Sequence, residues 1–176
     1  MTDNRDGILL FEPDFDSIVV KFERTLPHPP KQVWDRLVDR AHLQEWLTSE
    51  PGGHIRHFAG GEVFLPTIGG AVIDSIVHEF IPEQSLMFGW ETFDWDGGEV
   101  AWGMDRVGEG THLTFDHSDD DLGPDHFARL LANWHMTLDM FEHSLAGQPL
   151  PWSWDAWQAL SLHYGRKLAR LTDLLG

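Results

Sequence analysis

A long apolar stripe between Pro124 and Gly147 constrains the fold of this chain more than any other feature. Large apolar side chains recur there at intervals of four or three residues: Phe127, Leu131, Trp134, Leu138, Phe141 and Leu145. At about 100° per residue they fall within roughly 40° of one line along a helix. Asp125 suits the first turn of that helix, and Pro149 forbids its continuation. A helix of about 23 residues spans about 35 Å, so its stripe needs an equally long partner surface.

The chain before this helix predicts a sheet as the partner surface. Apolar runs separated by Gly, Pro and Asp predict strands at Ile8 to Glu12, Ser17 to Leu26, Ile55 to Phe58, Glu62 to Leu65, Ala71 to Ile81, Ser85 to Phe93, Glu99 to Arg106 and Thr111 to Ser118. Breaks this short predict antiparallel neighbours, beginning with a hairpin that turns at residues 13–16. Short helical segments around Trp34 and Trp46 follow that hairpin. A run of strands with segregated helices indicates the α+β class.

Alternation along three of these strands predicts which side chains face the long helix. The predicted inner residues are Leu86, Phe88 and Trp90, then Val100, Trp102 and Met104, then Leu113, Phe115 and His117. The strand from Ala71 to Ile81 is apolar on both faces, so two alternatives stay open there. Either Ile76 and Phe80 or Val77 and Ile81 point inward.

The chain after Gly147 predicts a second helix, which forms a tail. Its apolar stripe comprises Trp154, Trp157, Tyr164, Leu168 and Leu171, and Ser153 is its expected N-cap. Met136 and Met140 lie on the side of the long helix away from the main stripe, where they can receive this tail. We therefore predict one domain over residues 1–148, with residues 149–176 as a tail helix packed on it. A homodimer contact is the alternative use of the tail.

Composition narrows the functional classes. Asp plus Glu number 29 against 12 Lys plus Arg, and the resulting formal charge of −17 repels phosphate backbones, so no nucleic-acid partner is expected. No apolar run is long enough to predict a membrane span, and the N-terminus does not resemble a signal peptide, so we expect a cytoplasmic protein without a membrane partner. The absence of Cys excludes thiol chemistry. Nine Trp indicate either a Trp-rich core or an aromatic-lined pocket.

Several stretches together carry a family resemblance. They are residues 22–30 (FERTLPHPP), 32–34 (QVW), 43–47 (LQEWL), 77–82 (VHEFIP), 86–90 (LMFGW), 110–117 (GTHLTFDH) and the pair Trp134-His135. In this order the chain resembles the homologues of the activator of the heat-shock-protein-90 ATPase, within the START-like, birch-pollen-allergen-like (SRPBCC) superfamily. The resemblance implies a helix-grip fold, in which a curved antiparallel sheet wraps around a long C-terminal helix and two short helices close one end. It also implies a cavity between helix and sheet, but members range from lipid carriers to aromatic cyclases and hormone receptors.

The leading functional hypothesis is a small hydrophobic or aromatic ligand held between the long helix and the sheet. Its expected binding residues are Trp90, Trp102, Phe115, His117, Phe127, Leu131 and Trp134, with His117 as the polar anchor. A second hypothesis is a cyclase or hydrolase that transfers protons through His117 or through an inward Glu79 or Glu91. A third is a chaperone partner or regulatory protein that binds through the Trp-rich start of the tail.

No motif assigns catalytic residues, a metal or a cofactor. The sequence has no serine-nucleophile motif, P-loop or dinucleotide fingerprint, and we therefore predict no cofactor. The spacing of His135, Asp139 and His143 could bind a metal from one helix face, but these residues fall on the flank and the expected solvent side of the long helix. His54, His57 and Glu62 flank a predicted turn, where a surface loop is the better interpretation.

Overall fold

The computed structural model describes residues 5–12, 17–119 and 124–175, and within them it contains eight strands and four helices. The strands are β1 (Ile8–Glu12), β2 (Ser17–Leu26), β3 (His54–Ile55), β4 (Glu62–Pro66), β5 (Val72–Ile81), β6 (Ser85–Thr92), β7 (Trp95–Val107) and β8 (Gly110–Asp119). The helices are α1 (Pro30–Val38), α2 (Arg40–Leu43), α3 (Pro124–Leu145) and α4 (Trp154–Leu175). The predicted hairpin turn at 13–16 and the acidic residues 120 and 121 lie outside the described residues.

All eight strands form one antiparallel sheet in the order β1-β2-β8-β7-β6-β5-β4-β3. The sheet curves around α3, and α1 and α2 cover one end, which is the predicted helix-grip arrangement of the α+β class. Trp102 lies at the centre of the sheet, opposite Leu86 on β6 and opposite Phe115 on β8. The register of β7 therefore places Trp102, the largest side chain at the centre of the sheet, directly beneath the apolar stripe of α3.

The predicted inner face of the three central strands is confirmed. Leu86, Val100 and Phe115 are at most 1% exposed, and Trp90 alone among the predicted inner residues remains partly exposed. The stripe of α3 is buried against them along its whole length, from Phe127 to Leu145. Burial of this stripe is the main source of hydrophobic stabilisation between the two layers.

The inward-facing residues of β5 match neither of the two predicted alternatives. A β-bulge between Val77 and Glu79 shifts the register, so that the inward parity changes along the strand. Val77 is buried before the bulge, and Phe80 turns inward after it, with its ring 5.1 Å from that of Trp34. Ile76 and Ile81, one member of each predicted pair, are exposed.

Three elements differ from the prediction by more than two residues at one end. β3 covers only His54 and Ile55, because the chain turns back at Gly61, whose amide donates to the carbonyl of Phe58. β7 begins at Trp95, earlier than predicted, because the hairpin after β6 is tight. α2 ends at Leu43, and Trp46 and Leu47 are buried in the turns that follow it.

The tail helix α4 packs along α3. The hydroxyl of Tyr164 lies 2.8 Å from Nδ1 of His135, and Trp157 Nε1 donates to Oδ1 of Asn133. Met136 and Met140 are both buried. The division into residues 1–148 and a tail remains our interpretation. Within the described chain, no helix is long and apolar enough to cross a membrane.

Candidate functional site

A cavity of about 70 Å³ opens between α3 and the sheet, close to the start of the tail. The hairpin between β4 and β5 and the turn after α2 form one side of it, and α3 forms the other. Trp152, from the linker between α3 and α4, also lines it. The described lining residues are Leu47, Thr67, Ile68, Gly69, Trp90, Leu130, Asn133, Trp134, Thr137 and Trp152. None of these side chains is charged, so the cavity is an apolar site with a few amide and hydroxyl groups.

The interior behind the cavity is filled by interlocking aromatic rings. The ring centroid of Trp134 lies 4.1 Å from that of Phe115, 5.0 Å from that of Trp90 and 6.0 Å from that of Trp102. Trp102 in turn lies 4.5 Å from Phe115. Contacts of this kind stabilise aromatic pairs beyond the area that they bury. The remaining space is therefore much smaller than the roughly 300 Å³ or more of an ordinary ligand pocket.

His117 is fully buried at the sheet side of this aromatic cluster, and both of its ring nitrogens have partners. Nδ1 accepts a 2.8 Å hydrogen bond from Nε1 of Trp134, which places the ring proton on Nε2. Nε2 then donates to the carbonyl oxygen of Gly97 at 2.6 Å. Burial, which disfavours the charged imidazolium, lowers the pKa of His117 to about 4. His117 is thus a neutral structural link, and proton transfer would require it to break one of these bonds.

The residues proposed as ligand-binding from the sequence divide into two groups. Trp90 and Trp134 line the cavity. The others are buried in the surrounding core without lining it: Trp102, Phe115, His117, Phe127 and Leu131. Their assignment to ligand binding remains a proposal. Of the two inward Glu candidates, Glu79 accepts a hydrogen bond from Ser85, and Glu91 is partly exposed.

The sequence does not predict that the α3–α4 linker and the polar side of α3 contribute residues to the cavity wall. The sequence places Trp152 in the Trp-rich start of the tail, and none of the sequence hypotheses includes Asn133 or Thr137. The α3 periodicity relates both residues to the cavity wall, because Thr137 lies three residues after Trp134 and Asn133 lies four residues before Thr137. No local signal predicts Trp152, because its position depends on how the tail docks.

Two indole N–H groups in this region are buried without an acceptor, namely Nε1 of Trp102 and Nε1 of Trp152. A buried donor without a partner costs about 1–3 kcal/mol, so such groups are uncommon in folded proteins. Trp152 lines the cavity itself, and Trp102 contacts Trp134, which forms the cavity wall. Both unpartnered donors therefore belong to the cavity or to the layer directly behind it.

The predicted solvent exposure of the His135, Asp139 and His143 face is wrong for its first member. His135 is 8% exposed because α4 covers it, and burial is the main reason why its pKa is lowered. Asp139 pairs with Arg5 at 2.7 Å, and only His143 is exposed. Among the described residues, no group of three or more His, Asp or Glu side chains could hold a metal ion.

The loop histidines also have local partners. His54 lies 2.7 Å from the carboxylate of Glu62, which supports the interpretation as a surface loop. The ring of His57 stacks on that of Phe80 at 5.2 Å, and its Nε2 lies 3.2 Å from the carbonyl oxygen of Val38. These contacts hold the loop after β3 against α1. The described partners of His54 and His57 do not form an arrangement typical of catalysis or metal binding.

A curved sheet around one long helix, with an uncharged aromatic cavity between them, defines a helix-grip protein of the SRPBCC type. The model of the family described as "Activator of Hsp90 ATPase homolog 1-like protein" matches residues 27–146, and the chain belongs to this family. The resemblance seen in the sequence is thereby confirmed. A search of curated proteins found no match.

Solved structures from several bacteria share the fold. The crystal structure of CalU16 from Micromonospora echinospora has a TM-score of 0.72 at 21% identity, over 94% of this chain and 96% of that one. A conserved protein of unknown function, EF2215 from Enterococcus faecalis, has a TM-score of 0.70 at 17% identity, over 97% and 94%. The Aha1 dimer from Colwellia psychrerythraea has a TM-score of 0.61 at 19% identity, over 72% and 95%.

Proposed function

We propose that this protein binds a small, uncharged, apolar or aromatic molecule in the cavity between α3 and the sheet. The observation that carries the proposal is the composition of the cavity wall. Trp90 and Trp134 provide flat apolar surfaces, and Asn133 and Thr137 provide polar groups at one side. Ligand pockets are commonly apolar and aromatic with a few placed polar groups, and they lie at junctions between elements.

The uncharged cavity wall and the negative overall charge of the protein both favour an uncharged ligand. An ion that entered a cavity without a charged partner would lose its hydration without compensation, at a large cost in free energy. The overall charge of −17 adds a repulsive field for anions. The proposal therefore excludes fatty-acid carboxylates and phosphate esters from the ligand class.

The size of the cavity requires that it widens when the ligand binds. About 70 Å³ is too small for an aromatic molecule of two or more rings, whereas pockets for such ligands measure roughly 300 Å³ or more. The side that can move is the linker side, because Gln148 to Ser153 form neither helix nor strand. The opposite wall consists of strands and of α3, which are held by the aromatic core.

The test uses the neutral fluorescent probe N-phenyl-1-naphthylamine and a variant that fills the cavity. Thr137→Phe places a ring in the cavity, and His143→Phe places the same ring on an exposed position of the same helix. We expect saturable binding to the wild type and to His143→Phe, and binding about tenfold weaker in Thr137→Phe. Thermal unfolding checks that both variants fold. Equal affinity in the two variants would show that the probe binds elsewhere and would overturn the proposal.

The enzyme alternative receives less support. The described lining residues include no titratable side chain, whereas proton transfer needs an acid or base within hydrogen-bond reach of the ligand. His117 lies behind Trp134 and already uses both nitrogens. We therefore favour binding over catalysis.

A second candidate function is self-association through the tail, which is the homodimer contact expected as the alternative use of the tail. Trp154 is 60% exposed and Leu162 is 55% exposed, although both belong to a helix that packs on its own domain. The two residues lie eight positions apart, about two turns along the same helix, and exposed apolar surface that is contiguous is typical of contact surfaces. The homologue from Colwellia psychrerythraea is described as a dimer, which makes a second copy of this chain the proposed occupant.

Light scattering coupled to size-exclusion chromatography tests this second candidate over a range of protein concentrations. A homodimer that dissociates in the double variant Trp154→Ala, Leu162→Ala would support it. The matched control is Leu10→Ala, which removes an exposed apolar side chain from the far edge strand. A wild-type protein that stays monomeric at high concentration would rule self-association out.

A further inference from the structure

We infer that Trp152 is itself a ligand-contacting residue, and that its indole N–H binds a hydrogen-bond acceptor on the ligand. This inference rests on the proposed function and adds a definite ligand class. The ligand is a neutral, flat aromatic or conjugated molecule that carries a carbonyl group or a comparable acceptor. Its ring lies against Trp90 and Trp134, and its acceptor points to the linker.

The position of Trp152 is the first argument. Its side chain lines the cavity from the α3–α4 linker, together with Trp90 and Trp134. Its ring also meets that of Trp154 edge to face at 5.4 Å, and Trp154 meets Trp157 in the same way at 5.7 Å. Trp157 is anchored to α3 through its hydrogen bond to Asn133, which also lines the cavity. A run of side-chain contacts therefore connects Trp152 to the cavity wall.

The unpartnered donor is the second argument. Nε1 of Trp152 is buried, yet no acceptor within the described structure bonds to it. Nε1 of Trp134 and Nε1 of Trp157 both have acceptors. Nε1 of Trp102 also lacks one, but Trp102 does not line the cavity. Because the Trp152 donor has almost no accessible surface, it becomes available only when the cavity widens. It is then satisfied if the ligand supplies an acceptor, and a ligand without an acceptor gains nothing there.

Cavity polarity is the third argument, because it limits what the acceptor can be. The described wall holds no cation that could balance a carboxylate or phosphate, so the acceptor must be neutral. Apolar and aromatic walls then require that the rest of the molecule be flat and apolar. A ketone, quinone, lactone or amide on an aromatic framework meets both conditions.

Two probes that differ only in the acceptor test the inference. They are 1-indanone, which has a carbonyl group, and indane, which has the same fused rings without it. Binding is followed in the NMR spectrum of protein with ¹⁵N-labelled indole groups, in which the nine Trp give separate Nε1–H signals. We expect 1-indanone to bind about fivefold more tightly than indane and to move the Trp152 indole proton downfield, because one neutral hydrogen bond separates the two complexes.

Substitutions show whether Trp152 provides this preference. Trp152→Phe keeps an aromatic wall but removes the donor, so the two probes should then bind with equal affinity. Trp152→Ala is the second variant, and it should also lack the preference while admitting both probes more readily. The matched control is Trp154→Phe, which removes the N–H of the exposed neighbour and should keep the preference for 1-indanone.

The possible outcomes separate this inference from the function on which it rests. If both probes bind the wild type equally, or if Trp152→Phe keeps the preference, the cavity binds ligands but the role of Trp152 is overturned. If neither probe moves any Trp signal of the cavity wall, the proposed function itself fails. A preference for 1-indanone that disappears in Trp152→Phe and persists in Trp154→Phe supports the inference.

Discussion

Nε1 of Trp134 on α3 donates a 2.8 Å hydrogen bond to Nδ1 of His117 on β8. This bond links the two layers of the fold at the centre of the aromatic cluster, where both side chains are almost fully buried. It requires a neutral imidazole, because a protonated ring would present two donors and no acceptor to Trp134. The pair therefore makes the contact between helix and sheet depend on pH.

The first prediction concerns stability in acid. The pKa of His117 is about 4 in the folded protein and about 6.5 in an unfolded chain. Between these values the unfolded state binds more protons, so the free energy of unfolding should fall as the pH is lowered from about 6.5 to 4, by about 3 kcal/mol. Above about pH 6.5 this contribution is constant. Urea unfolding at a series of pH values measures the effect.

A Gln at position 117 isolates this effect, because its amide can accept from Trp134 and donate to Gly97 without titrating. His117→Gln should therefore keep most of the stability at pH 7 and lose most of the extra slope in acid. His135 is also buried with a lowered pKa and acts in the same direction, so the comparison is between this variant and the wild type. His112→Gln, on the outer face of the same strand, is the control. An unchanged slope in His117→Gln would contradict the assignment.

The second prediction concerns Gly98, in the hairpin that presents the Gly97 carbonyl to His117. Its φ is +80°, and an added Cβ would lie 1.8 Å from the carbonyl oxygen of Ser118. Gly108, at the other end of β7, also has a positive φ of +60°, but nothing lies within 4 Å of its Cβ position. Gly108→Ala should cost about 1–2 kcal/mol from backbone strain alone. Gly98→Ala should cost at least about twice as much, and equal losses of thermal stability would contradict this account.

Sequence patterns predicted the architecture because the decisive signals are local. The spacing of Trp134 and its stripe partners defines α3, and alternation along β6 to β8 defines the buried face of the sheet. The inward face of β5 could not be predicted, because the bulge after Val77 changes parity in a strand whose two faces are both apolar. The register of such a strand is set by its partners and not by its own sequence.

The candidate site was less predictable, because it depends on contacts between distant segments. His135 lies on the flank of α3 by its angle, and only the docking of α4 buries it beneath Tyr164. Trp152 reaches the cavity for the same reason. Trp90 and Trp134 line the cavity, whereas Trp102 and its neighbours lie in the core behind it. A packed core and a cavity wall use the same residue types, so the sequence does not distinguish the two groups.

The third prediction concerns the attachment of the tail. The hydroxyl of Tyr164 accepts a 2.9 Å hydrogen bond from the amide of Gly7 and donates to Nδ1 of His135, so it joins the N-terminal segment, α3 and α4. Tyr164→Phe leaves both partners buried without this group and should lower the free energy of unfolding by about 1–3 kcal/mol. Hydrogen exchange of the Gly7 amide should accelerate in this variant. The exposed Leu162, also on α4, serves as a control through Leu162→Ala, and unchanged protection of Gly7 would contradict the role of the hydroxyl.

The fourth prediction concerns the ion pairs on the outer flank of α3. Arg24 is only 2% exposed, and its Nε lies 2.9 Å from Oε1 of Glu142. Arg5 binds the same carboxylate with both terminal nitrogens and also binds Asp139, but its own side chain is 37% exposed. Burial and the charge of Arg5 both lower the pKa of Arg24. Arg24 therefore depends on its carboxylate partners more strongly than the half-exposed Arg5 does.

The two ends of this network should respond differently to loss of charge. Glu142→Gln leaves Arg24 buried with Asp139 as its nearest carboxylate, 3.7 Å away, and should cost about 3 kcal/mol. Arg5→Gln removes a half-exposed partner and also removes a like charge from the surroundings of Arg24, so it should cost at most about 1 kcal/mol. Urea unfolding at pH 7 measures both. If Arg5→Gln proves as costly as Glu142→Gln, the N-terminal arginine would be the principal stabilising charge, and Glu142 would not be the main counter-ion of Arg24.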